Sequence, residues 1–250
     1  MERLFCTELI LGKEKVARLA ASSVTVVGIG AVGAYAVEGL ARAGVGRLRL
    51  VDFDVIKPTN MNRHPYALLS TIGRAKVEAA RDRIRDIDPA CMVEPLALFA
   101  GPETFDRILD NKPDIVIDAI DSLNPKVQFL AACYTRAIPV ISSMGAALRT
   151  DAFSVKTADL FDTKHCPLAQ HLRQRLRRLG VGRGIVAVYS DQLQKKFVPR
   201  RSPEAVPGED TCDRGRKRRK LGSLPTVTGI FGLAIAHRAI EILCGGIDKT

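Results

Sequence analysis

The chain has 250 residues, of which 46% are hydrophobic and 26% charged, enough apolar material for a sizeable core, so a mostly disordered protein is excluded. Aromatic residues make up only 5% and Trp is absent, a composition that suits parallel strands wrapped by helices better than an aromatic-rich β-sandwich. Thirty-eight Lys and Arg against 27 Asp and Glu leave a net charge of +11, which favours polyanionic partners without naming a chemistry.

The N-terminus opens Met1-Glu2-Arg3-Leu4 with no basic-then-apolar export signal. Runs rich in β-branched or other apolar residues at 24–27, 48–51, 92–96, 114–118 and 138–142 are expected to be strands, and helix-like segments separate them. That alternation predicts a parallel sheet with right-handed crossovers. Between the first two runs, 32–43 reads as a packed helix stopped by Gly44, and ahead of the third run 73–87 reads as another helix. After Ser143 the rhythm changes. Segments 153–157 and 185–189 read as strands, and 168–179 as a basic helix with Arg173, Arg175, Arg177 and Arg178. The stretch from about 194 to 222 is rich in Pro, Gly, Lys and Arg with no apolar period and is expected to be a mobile loop. Residues 225–244 resume as a long amphipathic helix. The longest apolar stretch, near 230–244, is interrupted by His237, Arg238 and Glu241, so no membrane span is expected.

The expected architecture is a Rossmann-like α/β fold: a mostly parallel sheet with helices on both faces, plus a C-terminal extension carrying a mobile basic loop. It reads as a single domain over 1–250, with a nucleotide-binding half at 1–145 and a substrate-facing half at 146–250. Six scattered cysteines with no C-x-x-C pair fit a reducing, cytoplasmic setting.

The sequence Gly28-Ile-Gly30-Ala-Val-Gly33 follows the first predicted strand and opens a helix, where backbone N–H groups and the positive helix end can receive phosphate. Asp52 closes the second strand, the position from which a carboxylate accepts ribose hydroxyls. The fingerprint alone leaves NAD, FAD and ATP open. The next stretch favours ATP. Asp52-Phe-Asp54 leads through Asn60 and Asn62 to Arg63, and Lys76 follows near the start of the next helix. A site that attacks the α-phosphorus of ATP needs such fixed cations and a metal. Asp118 and Asp121 end the fourth apolar run at the ligand-binding edge of the sheet, and either is a candidate to hold Mg²⁺.

Together, Gly28-x-Gly30-x-x-Gly33, the segment 41–46, Asp52-Phe-Asp54, Asn60-x-x-Arg63, Gly73-x-x-Lys76 and Asp118-Ala-Ile-Asp121 resemble the ATP-dependent adenylating enzymes related to ubiquitin-activating enzymes and to the activators of molybdopterin and thiamine sulfur carriers. The resemblance implies that Gly28, Gly30, Gly33, Asp52 and Asp54 bind the nucleoside. It further implies that Asn60, Arg63 and Lys76 engage the phosphates, that Asp121 coordinates Mg²⁺, and that Arg3 reaches the phosphates of a partner subunit in a homodimer.

Members that charge sulfur-carrier proteins typically hold a structural zinc on two C-x-x-C pairs. Neither pair is present here, so no structural zinc is expected. The segments 121–126, Cys166-Pro-Leu, 188–190 and 222–232 resemble the branch of tRNA threonylcarbamoyladenosine dehydratases. That branch implies a tRNA carrying threonylcarbamoyladenosine as substrate, activated as an acyl-adenylate and cyclised. It leaves open a cysteine desulfurase and sulfur-acceptor system as a further partner. The alternative is an adenylyltransferase acting on the C-terminal Gly-Gly of a ubiquitin-like sulfur carrier. Arg173–Arg183 and 214–220 are candidate tRNA contacts. Cys212 lies beside the basic cluster, and Cys91, Cys133 and Cys244 read as packed small hydrophobes. His64 precedes Pro65 and reads as a turn histidine.

Overall fold

The computed structural model describes residues 2–193 and 221–247. Cys212 and the basic run 214–220 therefore lie outside the described residues. Seven strands form one sheet in the order β3-β2-β1-β4-β5-β7-β6: β1 (Ser23–Val27), β2 (Arg47–Val51), β3 (Met92–Leu96), β4 (Ile115–Asp118), β5 (Val140–Ser143), β6 (Val155–Asp159) and β7 (Val186–Ser190). All pairings are parallel except β6 with β7. The central strands are buried on both faces, which is why β1, β4 and β5 read as near-continuous apolar runs rather than alternating ones. At one edge β3 tolerates Pro95 and exposes Met92, as an edge strand can. At the other, β6 begins two residues later than its apolar pattern predicts, because Asp151 accepts from Phe153 N at 2.9 Å and winds residues 152–154 into a 3-10 turn.

Helices α1 (Phe5–Ala21), α2 (Ala31–Ala43), α3 (Lys76–Ile87) and α7 (Pro225–Leu243) supply one core layer with the sheet. Helices α4 (Phe105–Ile108), α5 (Leu123–Thr135) and α6 (Pro167–Arg178) supply the other. Gly44 ends α2 in the left-handed conformation (φ +93°), its N–H returning to Ala41 and Leu40. Helix α1, which no sequence signal singled out, is broken at Gly12 (φ +81°) and leaves Phe5, Leu9 and Ile10 exposed.

By length and composition α7 is apolar enough to cross a membrane. Here its Val227, Phe231, Ile235 and Ala239 are buried in the core. It packs on α2 so closely that a β-carbon at Gly232 would stand 2.4 Å from the carbonyl oxygen of Val32. Backbone cannot yield to that contact. Gly232→Val is therefore expected to destabilise the fold by about 1–3 kcal/mol in urea titrations with little change in m-value; an unchanged midpoint would contradict this packing.

Candidate active site

The chain leaves β1 at Val27 and turns sharply at Gly28 (φ +92°), whose N–H donates to Val51 O at 2.8 Å. A β-carbon on Gly28 would lie 2.7 Å from Ala119 O, and one on Gly33 would lie 1.8 Å from Gly28 O. These two glycines are therefore needed for backbone to pass backbone where β1 and β4 end. Gly30 differs, since its missing β-carbon faces open space with no atom within 4 Å. Helix α2 begins there with no side-chain cap, so its first-turn N–H groups lie at the mouth of that space.

Asp52, at the end of β2, accepts from Ile29 N at 2.7 Å and from Asp54 N at 2.8 Å, clamping the glycine loop to the second strand. Burial pushes its carboxyl upward, opposed by Lys76 and by the two N–H donors. Each carboxylate oxygen keeps further acceptor capacity for ribose hydroxyls. Phe53 beside it is partly exposed and meets Phe99 edge-on at 5.2 Å.

Lys76 opens α3 because residues 54–56 pair back on 73–76: Ile56 N donates to Arg74 O at 2.8 Å and Lys76 N to Asp54 O at 3.1 Å. Its ammonium lies 2.8 Å from Asp54 and 3.9 Å from Asp52, so much of its charge is already compensated. Helix α3 starts at Lys76 rather than at Gly73, whose φ of +86° is incompatible with a helix.

Asn60 Oδ1 accepts from Lys57 N at 3.0 Å and shapes the intervening loop. Arg63 donates to Thr59 O at 2.9 Å and to Asn62 Oδ1 at 2.8 Å, and has no carboxylate partner among the described residues. Next to it, His64 is buried. Its Nδ1 accepts from Tyr66 N at 3.1 Å, so its Nε2 carries the proton and donates to Ile29 O at 2.8 Å. The turn histidine thus ties the 57–66 loop to the glycine loop, and burial lowers its pKa from 6.5 to about 4.

Of the two carboxylates considered for a metal, Asp118 is corrected. It is fully buried, and its side chain is consumed by Lys126 Nζ at 2.7 Å, Ser142 Oγ at 2.7 Å and Ile120 N at 3.1 Å. It braces β4, β5 and α5 and cannot also hold a metal. Asp121 is exposed just before α5, with Ser122 Oγ 3.4 Å away. Among the described residues no three His, Cys, Asp or Glu side chains cluster as metal ligands. A single carboxylate is still the donor set from which Mg²⁺ is held jointly with substrate phosphates and water.

Arg3 does not join this group. It pairs with Asp88 and reaches toward Ala41 O, where α3 and α2 end. Both helices run away from the ligand-binding edge, so Arg3 sits at the opposite end of the sheet.

Cys91, Cys133 and Cys244 are buried; burial pushes the Cys91 thiol up to about 11 and raises the other two. Three further features had no assigned role in the sequence. Lys126 was visible only as part of a motif. Arg149 is 1% exposed, donates to the carbonyls of Gln192 and His165, and leaves its buried Nε without a partner. Asn62 Nδ2 donates to Ser223 O at 3.2 Å and Leu148 N to Gly222 O at 2.9 Å, so the strand of chain before α7 ties the nucleotide-side loop to the loop after β5. An apolar-strand Asp followed on the next helix by a Lys was the one signal that could have found the first of these.

The sequence matches the ThiF family over residues 3–250. It is 39% identical over 241 residues to the tRNA threonylcarbamoyladenosine dehydratase of Bacillus subtilis, covering 96% of this chain and 94% of that protein. The fold superposes on the crystal structure of Escherichia coli tRNA N6-threonylcarbamoyladenosine dehydratase in complex with ATP with a TM-score of 0.85 at 32% identity, covering 98% of this chain and 94% of the other. Similarity to the molybdopterin-synthase adenylyltransferase of Salmonella typhimurium, 36% identical over 128 residues, spans only 51% of this chain and 50% of that protein.

Two consequences can be measured. His64 has a folded pKa below its unfolded value, so its contribution to stability is complete above pH 6.5 and is lost as the pH falls toward about 4. The loss should be on the order of 3 kcal/mol and should be largely absent in His64→Gln; denaturant midpoints across that range would test it. Lys126→Met leaves the Asp118 charge buried and unpaired, and should cost roughly 3–5 kcal/mol by urea unfolding. Asp118→Asn added to it should recover part of that loss.

Proposed function

This chain belongs to the ThiF family, and on that footing we propose that it is an ATP-dependent tRNA threonylcarbamoyladenosine dehydratase. The observation that carries the reading is likeness along nearly the whole length of dehydratases from two bacteria, one of them in complex with ATP. The sulfur-carrier adenylyltransferase alternative has likeness over only about half of each chain.

A carboxylate is a poor electrophile at neutral pH, so the threonylcarbamoyl carboxylate must be activated before a ring can close. Its oxygen attacks the α-phosphorus of ATP, pyrophosphate leaves, and an acyl-adenylate forms. The neighbouring carbamoyl group of the same substrate then attacks the activated carbonyl, and AMP departs with the oxygen that is formally lost as water. The nucleophile is supplied by the substrate, so the protein's task is to bind, orient and compensate charge.

In this reading Gly28, Gly30 and Gly33 cradle the phosphates at the start of α2, and Asp52 accepts from the ribose. Arg63, free of any acid partner among the described residues, meets the negative charge that grows at the α-phosphorus. Lys76 adds a second cation, oriented by Asp54, and Asn60 holds the loop between them. Asp121 is the residue suited to hold Mg²⁺, which would screen the phosphates when bound. The half at 1–145 serves the nucleotide and the half at 146–250 serves the tRNA, in a soluble cytoplasmic homodimer. Arg3, remote from its own glycine loop, acts on the partner subunit's nucleotide.

The decisive experiment incubates the protein with ATP, Mg²⁺ and threonylcarbamoylated tRNA. AMP, pyrophosphate and a nucleoside lighter by one water are expected, and absence of all three would overturn the reading. Arg63→Ala should lower kcat by roughly 10²–10³. Mixing inactive Arg3→Ala with inactive Arg63→Ala subunits should restore part of the activity, since one site per mixed dimer is then complete. No restoration would remove Arg3 from the reaction.

A further inference from the structure

Charge is not spread evenly over this surface. Along α2 and α3 most arginines are matched by acids, Arg42 with Glu38, Arg81 with Glu78 and Asp82, and Arg83 with Glu38 and Asp86, and just before α3 Arg74 pairs with Asp82. Around α6 the pattern is different, because from Thr163 to Ser190 the chain carries no Asp or Glu at all. Lys164, Arg173, Arg175, Arg177, Arg178 and Arg183 fall in that stretch, and among the described residues only Arg183 has a carboxylate partner, Asp162 at 2.8 Å.

Burial divides the helix cleanly. Ala169, Leu172 and Leu176 are buried, while His171, Arg175 and Arg178 are exposed and recur at i, i+4 and i+7 on one face. The remaining arginines are ordered without losing their charge. Arg173 donates to Thr163 O at 3.1 Å, and the Arg177 guanidinium lies 5.1 Å from the Phe161 ring centroid. Arg175 donates to Asn124 Oδ1. Asn124 stands in the first turn of α5, three residues after Asp121, so the basic face begins at the rim of the nucleotide site.

We infer that the exposed face of α6, with Lys164, Arg175 and Arg178, is the track on which the substrate's RNA backbone lies, and that Arg175 is a positioning residue linking that track through Asn124 to the loop carrying Asp121. This deepens the dehydratase reading and rests on it. Spaced cations without acids among the described residues, with Arg175 fixed through a neutral amide, suit successive phosphates. A row of acid-paired arginines such as that on α3 would bind them weakly.

The test compares wild type with Arg178→Gln, Arg175→Gln/Arg178→Gln and Asn124→Ala, using threonylcarbamoylated tRNA. Loss of two phosphate contacts should raise KM for tRNA roughly tenfold and reduce the slope of log affinity against log salt by roughly 1.5, with KM for ATP unmoved. Asn124→Ala retains every cation but loses the link, so it should lower kcat with the salt slope unchanged. If wild type forms product and the double variant keeps the wild-type KM for tRNA and the wild-type salt slope, the track lies elsewhere. If wild type forms no product from this tRNA, the dehydratase reading itself fails. If polyglutamate displaces an anticodon stem-loop RNA from wild type as well as unlabelled RNA does, the face is a general polyanion or acidic-protein surface and the inference is overturned.

Discussion

Where β1 and β4 end side by side, backbone passes backbone at a distance that leaves no room for a single extra carbon. The carbonyl of Ala119 stands 2.7 Å from the place a β-carbon would occupy on Gly28, and Gly28 in turn blocks any side chain on Gly33. This contact sets how closely α2 approaches the sheet and brings the loop of Asp121 against the glycine loop. Beside Gly30, by contrast, the space is open. Substituting either crowded glycine would move the cradle and the carboxylate loop apart together.

Around that contact the protein uses ionisable groups in two distinct ways. Asp118 and Lys126 form a pair with no exposure, joined by Ser142, and their role is to hold two strands and a helix in register. A buried pair of this kind adds little net stability but is costly to break on one side, which makes it a constraint on geometry. Asp52, Asp54 and Lys76 are arranged similarly but lie at the ligand-binding edge, where a nucleotide can still reach them. Among the described residues Arg63 is left without an acid, and so are Arg175 and Arg178 on the exposed face of α6. Along α2 and α3, by contrast, most arginines are paired with acids.

Much of the fold was legible because its signals are local. A run such as Ser23–Val27 followed by glycines and an Ala-rich helix has few alternatives to a β-α unit, and Gly44 marks the end of that helix by its own backbone freedom. Helix α1 was missed because its exposed Phe5, Leu9 and Ile10 blur the apolar period that would have marked it. Strand β6 was displaced by two residues because the Asp151 turn competes with the ladder. In the site, the glycines, Asp52, Asn60, Arg63 and Lys76 stood out by spacing, whereas the choice between Asp118 and Asp121 did not.

The amino-acid order alone therefore determined the alternation of strands and helices, the place of the glycine loop and the excess of positive charge in the second half, since each depends on residues close together along the chain. Only the tertiary structure decided which charges are spent. Asp118 is consumed by Lys126 from the next helix, whereas Lys76 is oriented by Asp54 at the edge of the sheet and Arg3 is held by Asp88 at the far end. The physical reason is that a charge is cancelled by whatever lies within a few ångströms in space, and folding brings together partners that sequence separation does not reveal.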